Sequence, residues 1–372
     1  MLGLPGALRF FVPAAVARFG VAMSGLAVFW AVLGSSGSFA GAGAATGAFA
    51  VADAAAGPQV ARLVDRWGQR RVVPFTAGLF AAAAVALVLA RGSATAGVLL
   101  AALLGATAPP VGALSAARWR TLGGGTAALS LEAALNEVTF LIGPVLVSAL
   151  SATRAPWAGL VLAVSLTALG LAGMLTARAT EPAPGGRPRG AVVDRRLLTR
   201  PIAVLFAVNL TLGFFFGGIG VAITGFALAH GAGSLAGLIT GAGGVVSLVA
   251  GIAYGNLRTA PPVATGASLL MTAGCAALAL TPGVPAMFAG YAVVGGCVAL
   301  VLIPAAVLLQ QATPAEVYTQ AMTWMNSASA LGIATSAPLV GAVVEHHGWA
   351  AGFVVLAALT AGLPLALRYA RS

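Results

Sequence analysis

Lysine is absent from the 372-residue chain, and acidic side chains number only eight. Charged residues of either sign make up 7% of it, against about 25% in a soluble globular domain, which excludes an ordinary water-soluble fold. Cysteine is nearly missing too. Cys275 and Cys297 fall inside apolar runs, away from any set of metal-ligating partners, and read as small packing residues. No phosphate-cradling glycine loop and no placeable Ser-His-Asp set occurs. Neither ATP-driven work nor an enzyme is indicated, and no cofactor is implied.

What fills the chain instead is apolar. Hydrophobic residues account for 60% and glycine for 50 positions, and the mean hydropathy is +1.00, the profile of a polytopic membrane protein. The formal charge of +11 would suit a nucleic-acid partner if it lay on one face. It lies in loops, so nucleic acid is excluded. That all nineteen basic residues are arginine reads as a high-GC bacterial coding bias rather than a mechanism. Arg9 precedes an apolar run as in a signal peptide, but Arg18 interrupts the run and no cleavage site follows, so an uncleaved first span is expected.

Apolar stretches of about 20 residues predict twelve transmembrane helices. Six lie near 10–34, 38–61, 72–90, 94–117, 127–150 and 156–177, and six near 201–229, 232–255, 261–280, 284–308, 317–341 and 348–367. Between them, 178–200 is rich in Pro, Gly and Arg, as a solvated linker is. The expected domains are therefore an N-terminal bundle (1–177), a linker (178–200) and a C-terminal bundle (201–372). With both termini in the cytoplasm, sixteen arginines fall inside, Arg91 and Arg154 fall outside, and Arg18 lies in a span. One missed span would invert every later loop and scramble this bias. Trp67 and Trp119 are expected as interfacial anchors at the inner ends of spans, Trp157 and Trp349 at the outer ends.

The second span runs into Ala61-Arg62-Leu63-Val64-Asp65-Arg66-Trp67-Gly68-Gln69-Arg70-Arg71, a charged turn between apolar runs. Its order of residue types resembles the loop between helices two and three of major facilitator superfamily transporters, G-x-L-a-D-r-x-G-r-k. Leu63, Asp65, Arg66, Gly68 and Arg70 match, while Ala61 and Gln69 depart. The resemblance implies an all-α fold of two pseudo-symmetric six-helix bundles rocking around a central site. It also implies a cytoplasmic gating loop of Asp65, Arg66, Gly68, Arg70 and Arg71. The equivalent in the second half, Gly251 to Arg258, carries Gly255 at the acidic position and is degenerate. Gly143-Pro144 resembles the core of the family's antiporter motif in the fifth helix, although Thr139, Val147 and Ser148 stand where glycines are expected. The fourth helix lacks a buried arginine and has Pro109-Pro110, which should kink it.

Four formal charges sit within spans, each at about 2.5 to 3.5 kcal/mol on insertion scales. Arg18, Asp53, Glu132 and Glu137 are therefore the proton-coupling candidates. Two readings stand for the first pair: proton exchange at Asp53 modulated by Arg18, or a plain Arg18–Asp53 ion pair with Glu132 snorkelling to the inner interface. Glu132 and Asn136 share a helix face, whereas Glu137 is turned about 140° away, so the two glutamates form no dyad. Asn136, Asn209, Trp324 and Asn326 are substrate-cavity candidates, each with interhelical bonding or packing as the alternative. His346 and His347 beside Glu345 lack further ligands and read as a solvated turn, so no metal is expected.

Together these features point to a secondary transporter of the bacterial inner membrane. The expectation is a monomer, both termini cytoplasmic, coupling protons to efflux of a small apolar or amphipathic compound. The alternatives are a non-transporting sensor or scaffold that keeps the fold, and an uncoupled facilitator.

Overall fold

The computed structural model describes residues 4–90, 93–123, 125–183, 197–255, 263–313 and 318–369. They form helices and no strand among the described residues. The first seven are α1 (Ala7–Ser36), α2 (Phe39–Trp67), α3 (Gln69–Leu89), α4 (Ala94–Thr107), α5 (Val111–Thr121), α6 (Gly125–Thr153) and α7 (Ala158–Thr176). The rest are α8 (Arg200–Ala229), α9 (Ala236–Gly255), α10 (Ala264–Leu278), α11 (Val284–Ala312), α12 (Tyr318–His347), α13 (Trp349–Thr360) and α14 (Leu363–Tyr369).

Helices prevail because lipid offers backbone groups no partner, so each segment must satisfy its own. Among the described residues ten segments are long and apolar enough to cross a bilayer, and α10 with Leu141–Thr153 of α6 are shorter apolar helices, giving twelve. Two crossings are composite. Ala94–Thr121 counts once although Pro109-Pro110 divides it into α4 and α5, and Trp349–Arg368 joins α13 to α14. The break at the prolines is the expected kink: neither has an N–H to continue the ladder.

The chain forms two compact units, 1–37 with 48–189, and 38–47 with 190–372. In the first, α1 lies along α7 and α6. Close approach there depends on Gly20, where a Cβ would enter the Ala163 and Thr167 backbone. In the second, α8 packs along α12 and α9 along α11. Gly213 meets the Ser329 backbone and Gly295 meets that of Gly243, the small-residue packing that lets helices approach where lipid removes the hydrophobic drive.

The joint between α2 and α3 is a single residue. Gly68 adopts φ 86°, a region that a β-carbon disfavours, so the chain reverses without any further loop. Asp65 and Arg66 thereby belong to the last turn of α2, and Arg70 and Arg71 to the first turn of α3.

Candidate functional site

Two polar clusters lie in the first unit, and the fold brings each together from distant segments. The first surrounds Arg18, eleven residues into α1. Its Nη2 lies 2.5 Å from Glu132 Oε2, and Nη1 donates to the Glu132 backbone carbonyl at 3.1 Å. The other carboxylate oxygen of Glu132 accepts from Ser115 Oγ and from Trp119 Nε1, the latter at 3.0 Å. Ser115 and Trp119 are four apart on α5 and so present one face to α6. Gly112, a further turn back, leaves room for the guanidinium, since a Cβ there would come within 2.8 Å of Arg18 Nη2.

This arrangement corrects three expectations. Arg18 pairs with Glu132 and not with Asp53. Glu132 is 9% exposed and does not snorkel, because three donors inside the bundle satisfy it better than a path to the interface. Trp119 is 3% exposed and is no interfacial anchor: its ring packs on Phe10 and Phe11 at 4.9 and 5.4 Å. Trp67 and Trp157, by contrast, are exposed, and Trp349 packs edge-on against Phe226 at 4.8 Å.

The second cluster centres on Arg118 at the arginine-rich end of the unit. Counting apolar residues ends the fourth span at 117 and leaves Arg118 in a loop, yet its side chain is fully buried. The fourth span thus does hold a buried arginine. Nε donates to Gln69 Oε1 at 2.8 Å, and Nη1 to the Ala177 carbonyl and Thr180 Oγ1 at 2.7 and 2.9 Å. The Phe10 ring faces the guanidinium at 6.0 Å, within reach of a cation–π contact. Gln69 in turn donates to the Leu114 carbonyl at 3.3 Å. Beside it, Glu181 accepts from the Arg70 backbone N–H at 3.1 Å and so caps the start of α3, where an anion is favoured. Gln69 departs from the basic residue of the loop pattern for a visible reason: a second cation 3 Å from Arg118 would be repelled.

Asp53 lies midway along α2, half-buried, and makes no hydrogen bond or ion pair among the described residues. Asp65, Arg62 and Arg71 are exposed. Arg66 stacks over Trp67 at 5.6 Å. The side chains of Asn136 and Glu137 lie outside the described residues, as do Asn256, Leu257 and Arg258. Gly143 is buried, facing the Met23 side chain, and Pro144 sits within α6.

In the second unit Asn209 donates to the Leu205 carbonyl of its own helix at 2.9 Å, an intrahelical bond and not the interhelical one of the alternative, and Asn326 is exposed. Trp324 lines a cavity of about 500 Å³ with Leu197, Leu198, Thr199, Arg200, Ile202, Ala203 and Phe206. Among the described residues its walls are apolar and aromatic apart from Thr199 and Arg200. No metal-binding group of His, Cys, Asp and Glu occurs among the described residues.

Ser115, Trp119, Arg118, Gln69, Thr180 and Glu181 were not legible as site residues. The available signal was the spacing Ser115-x-x-x-Trp119, a polar stripe on a segment otherwise fit to cross the bilayer.

The sequence matches the family model described as Major Facilitator Superfamily over residues 10–259. No curated protein sequence matches the chain. Among solved structures it is similar to the nucleoside transporter NupG, with 15% identity, a TM-score of 0.75, and 99% of each chain covered. The human organic anion transporter MFSD10 (TETRAN) aligns at 15% identity and TM-score 0.62, over 97% of this chain and 99% of that one. An auto-inhibited peptide transporter of the POT family aligns at 14% identity and TM-score 0.67, over 99% and 96%.

Proposed function

The chain belongs to the Major Facilitator Superfamily, a family of membrane transporters, and from that premise we propose that it is a proton-coupled secondary exporter working by alternating access. Its cargo is a small apolar or amphipathic compound. It acts as a monomer in the bacterial inner membrane, with both termini cytoplasmic, as the arginine bias favours.

The observation that carries the coupling is the contrast between the two carboxylates described within spans. Glu132 has its oxygens engaged by Arg18, Ser115 and Trp119. Asp53 has no partner among the described residues and is half-buried. A carboxyl group free of fixed donors is the better candidate to gain and lose a proton as its surroundings alternate. Glu132 with Arg18 then serves as a fixed strut. The cavity beside Trp324, with Arg200 its one cation among the described residues, supports an apolar or amphipathic cargo over a sugar or a multiply charged phosphate, which need many polar partners. Asp65, Arg66 and Arg70 act as the cytoplasmic latch, and Glu137 stays a second coupling candidate.

Purified protein in liposomes carrying an imposed pH gradient tests this. Cargo-dependent proton movement should be present in wild type and in Glu132→Gln that remains folded, and lost in Asp53→Asn. Equal proton movement in wild type and Asp53→Asn would remove Asp53 from the mechanism. Cargo flux without proton movement in wild type would favour the uncoupled facilitator.

A further inference from the structure

The last crossing, Trp349–Arg368, is one span in two pieces: α13 ends at Thr360 and α14 starts at Leu363. Thr360 lies about 17 Å along the helix from Trp349 at 1.5 Å per residue, so the break falls near the middle of the hydrocarbon layer. Its cause is Pro364. An uninterrupted helix would close the carbonyl of Thr360 with the N–H of residue 364, and proline has none.

Backbone opened at that depth must be satisfied from within the protein. Thr360 is fully buried, and its hydroxyl turns back to the carbonyls of Leu356 and Ala357 at 2.9 and 3.2 Å. The Ala361 N–H donates to the Ala358 carbonyl at 3.3 Å, and past the break the Ala366 N–H donates to that of Gly362 at 3.0 Å. The carbonyl of Thr360 itself is closed from another span: Thr272 Oγ1 of α10 donates to it at 3.1 Å. That use of a hydroxyl is distinctive. Thr46, Thr107, Thr167, Thr224 and Thr335 each donate to the carbonyl four residues back in their own helix, the local bond that threonine ordinarily makes.

We propose that Thr272 is a positioning residue that pins a proline elbow in the last span, with α10 as the splint that fixes the angle between α13 and α14. α10 packs against both pieces, so it can hold them whatever the broken ladder leaves undone. A hydroxyl suits the task because it donates without bringing a formal charge into the hydrocarbon layer. The elbow also reaches the cavity wall through one helix, since α14 packs on α8, whose opening turns line the cavity beside Trp324.

Hydrogen–deuterium exchange of the full-length protein in lipid nanodiscs, read by mass spectrometry over residues 361–369, tests the pin. Thr272→Val keeps the shape and removes the donor. It should speed exchange there about ten-fold, as an orphaned buried carbonyl of ordinary cost gives, and leave residues 325–336 of α12 unchanged. Thr272→Ser should stay at the wild-type rate. Pro364→Ala restores the missing N–H, so adding Thr272→Val to it should change nothing further. No acceleration in Thr272→Val, the same acceleration in Thr272→Ser, or an equal acceleration with and without Pro364 would each overturn the proposal. If Thr272→Val alone does not accumulate in the membrane, its combination with Pro364→Ala should, and failure of both also overturns it.

Discussion

The two units solve the same packing problem with different materials. In the first, glycines such as Gly20 and Gly170 also let backbones approach, but polar side chains reach across helices as well: Arg18 to Glu132, Trp119 to Glu132, Arg118 to Gln69 and Thr180. In the second, helices are set together chiefly by missing side chains, with Gly213 against Ser329, Gly217 against Ile333 and Gly295 against Gly243. Directional contacts specify a register and penalise departures from it, while flat glycine surfaces admit small displacements. The first unit is thus built as a strut and the second as a set of sliding rods.

That contrast can be broken most forcefully at the ion pair. Glu132→Ala should destabilise the purified protein by about 3 kcal/mol, the lower end for a broken buried pair, since Arg18, largely but not fully buried, is left without its carboxylate, read as a shift in its chemical unfolding midpoint. The double replacement Arg18→Leu with Glu132→Leu should recover most of that loss. A double variant as weak as the single one would mean that the pair is not the strut. Next in size is Gly213→Leu, which forces a side chain into the Ser329 backbone and should cost about 3 kcal/mol, the upper end for overpacking, because backbone cannot swing aside. The same unfolding assay reads it, and a neutral result would show the second unit to be looser than described. Smallest is Trp119→Phe. It keeps the ring against Phe10 but deletes the donor to Glu132, worth about 1.5–3 kcal/mol for a bond to a charged group. Because Ser115 and Arg18 still hold the carboxylate, the measured loss should fall at the lower edge.

Much of this was legible from residue order. Twelve apolar runs, the kink at Pro109-Pro110 and the turn at Gly68 follow from local chemistry, because in lipid a span must satisfy its own backbone whatever its neighbours do. Which charges meet was not legible. Arg18 and Asp53 stood as possible partners because both are formal charges within neighbouring spans, but sequence position says nothing of azimuth, and azimuth gives Glu132 to Arg18. Arg118 and Trp119 were placed at the interface because hydropathy counts formal charge and cannot see a guanidinium whose Nε and Nη1 donate to Gln69, Ala177 and Thr180. Glu345 read as part of a solvated turn for a like reason: its partner is the start of a helix about three hundred residues earlier.

The one-residue elbow at Gly68 makes the distance between α2 and α3 unforgiving. Adding a single residue there would turn α3 by about 100° about its axis, carrying the Gln69 amide off the Arg118 guanidinium and the Arg70 N–H off Glu181. Length is therefore inherited as strictly as composition at this corner, and a deletion scan would meet its sharpest boundary at a position that carries no charge at all.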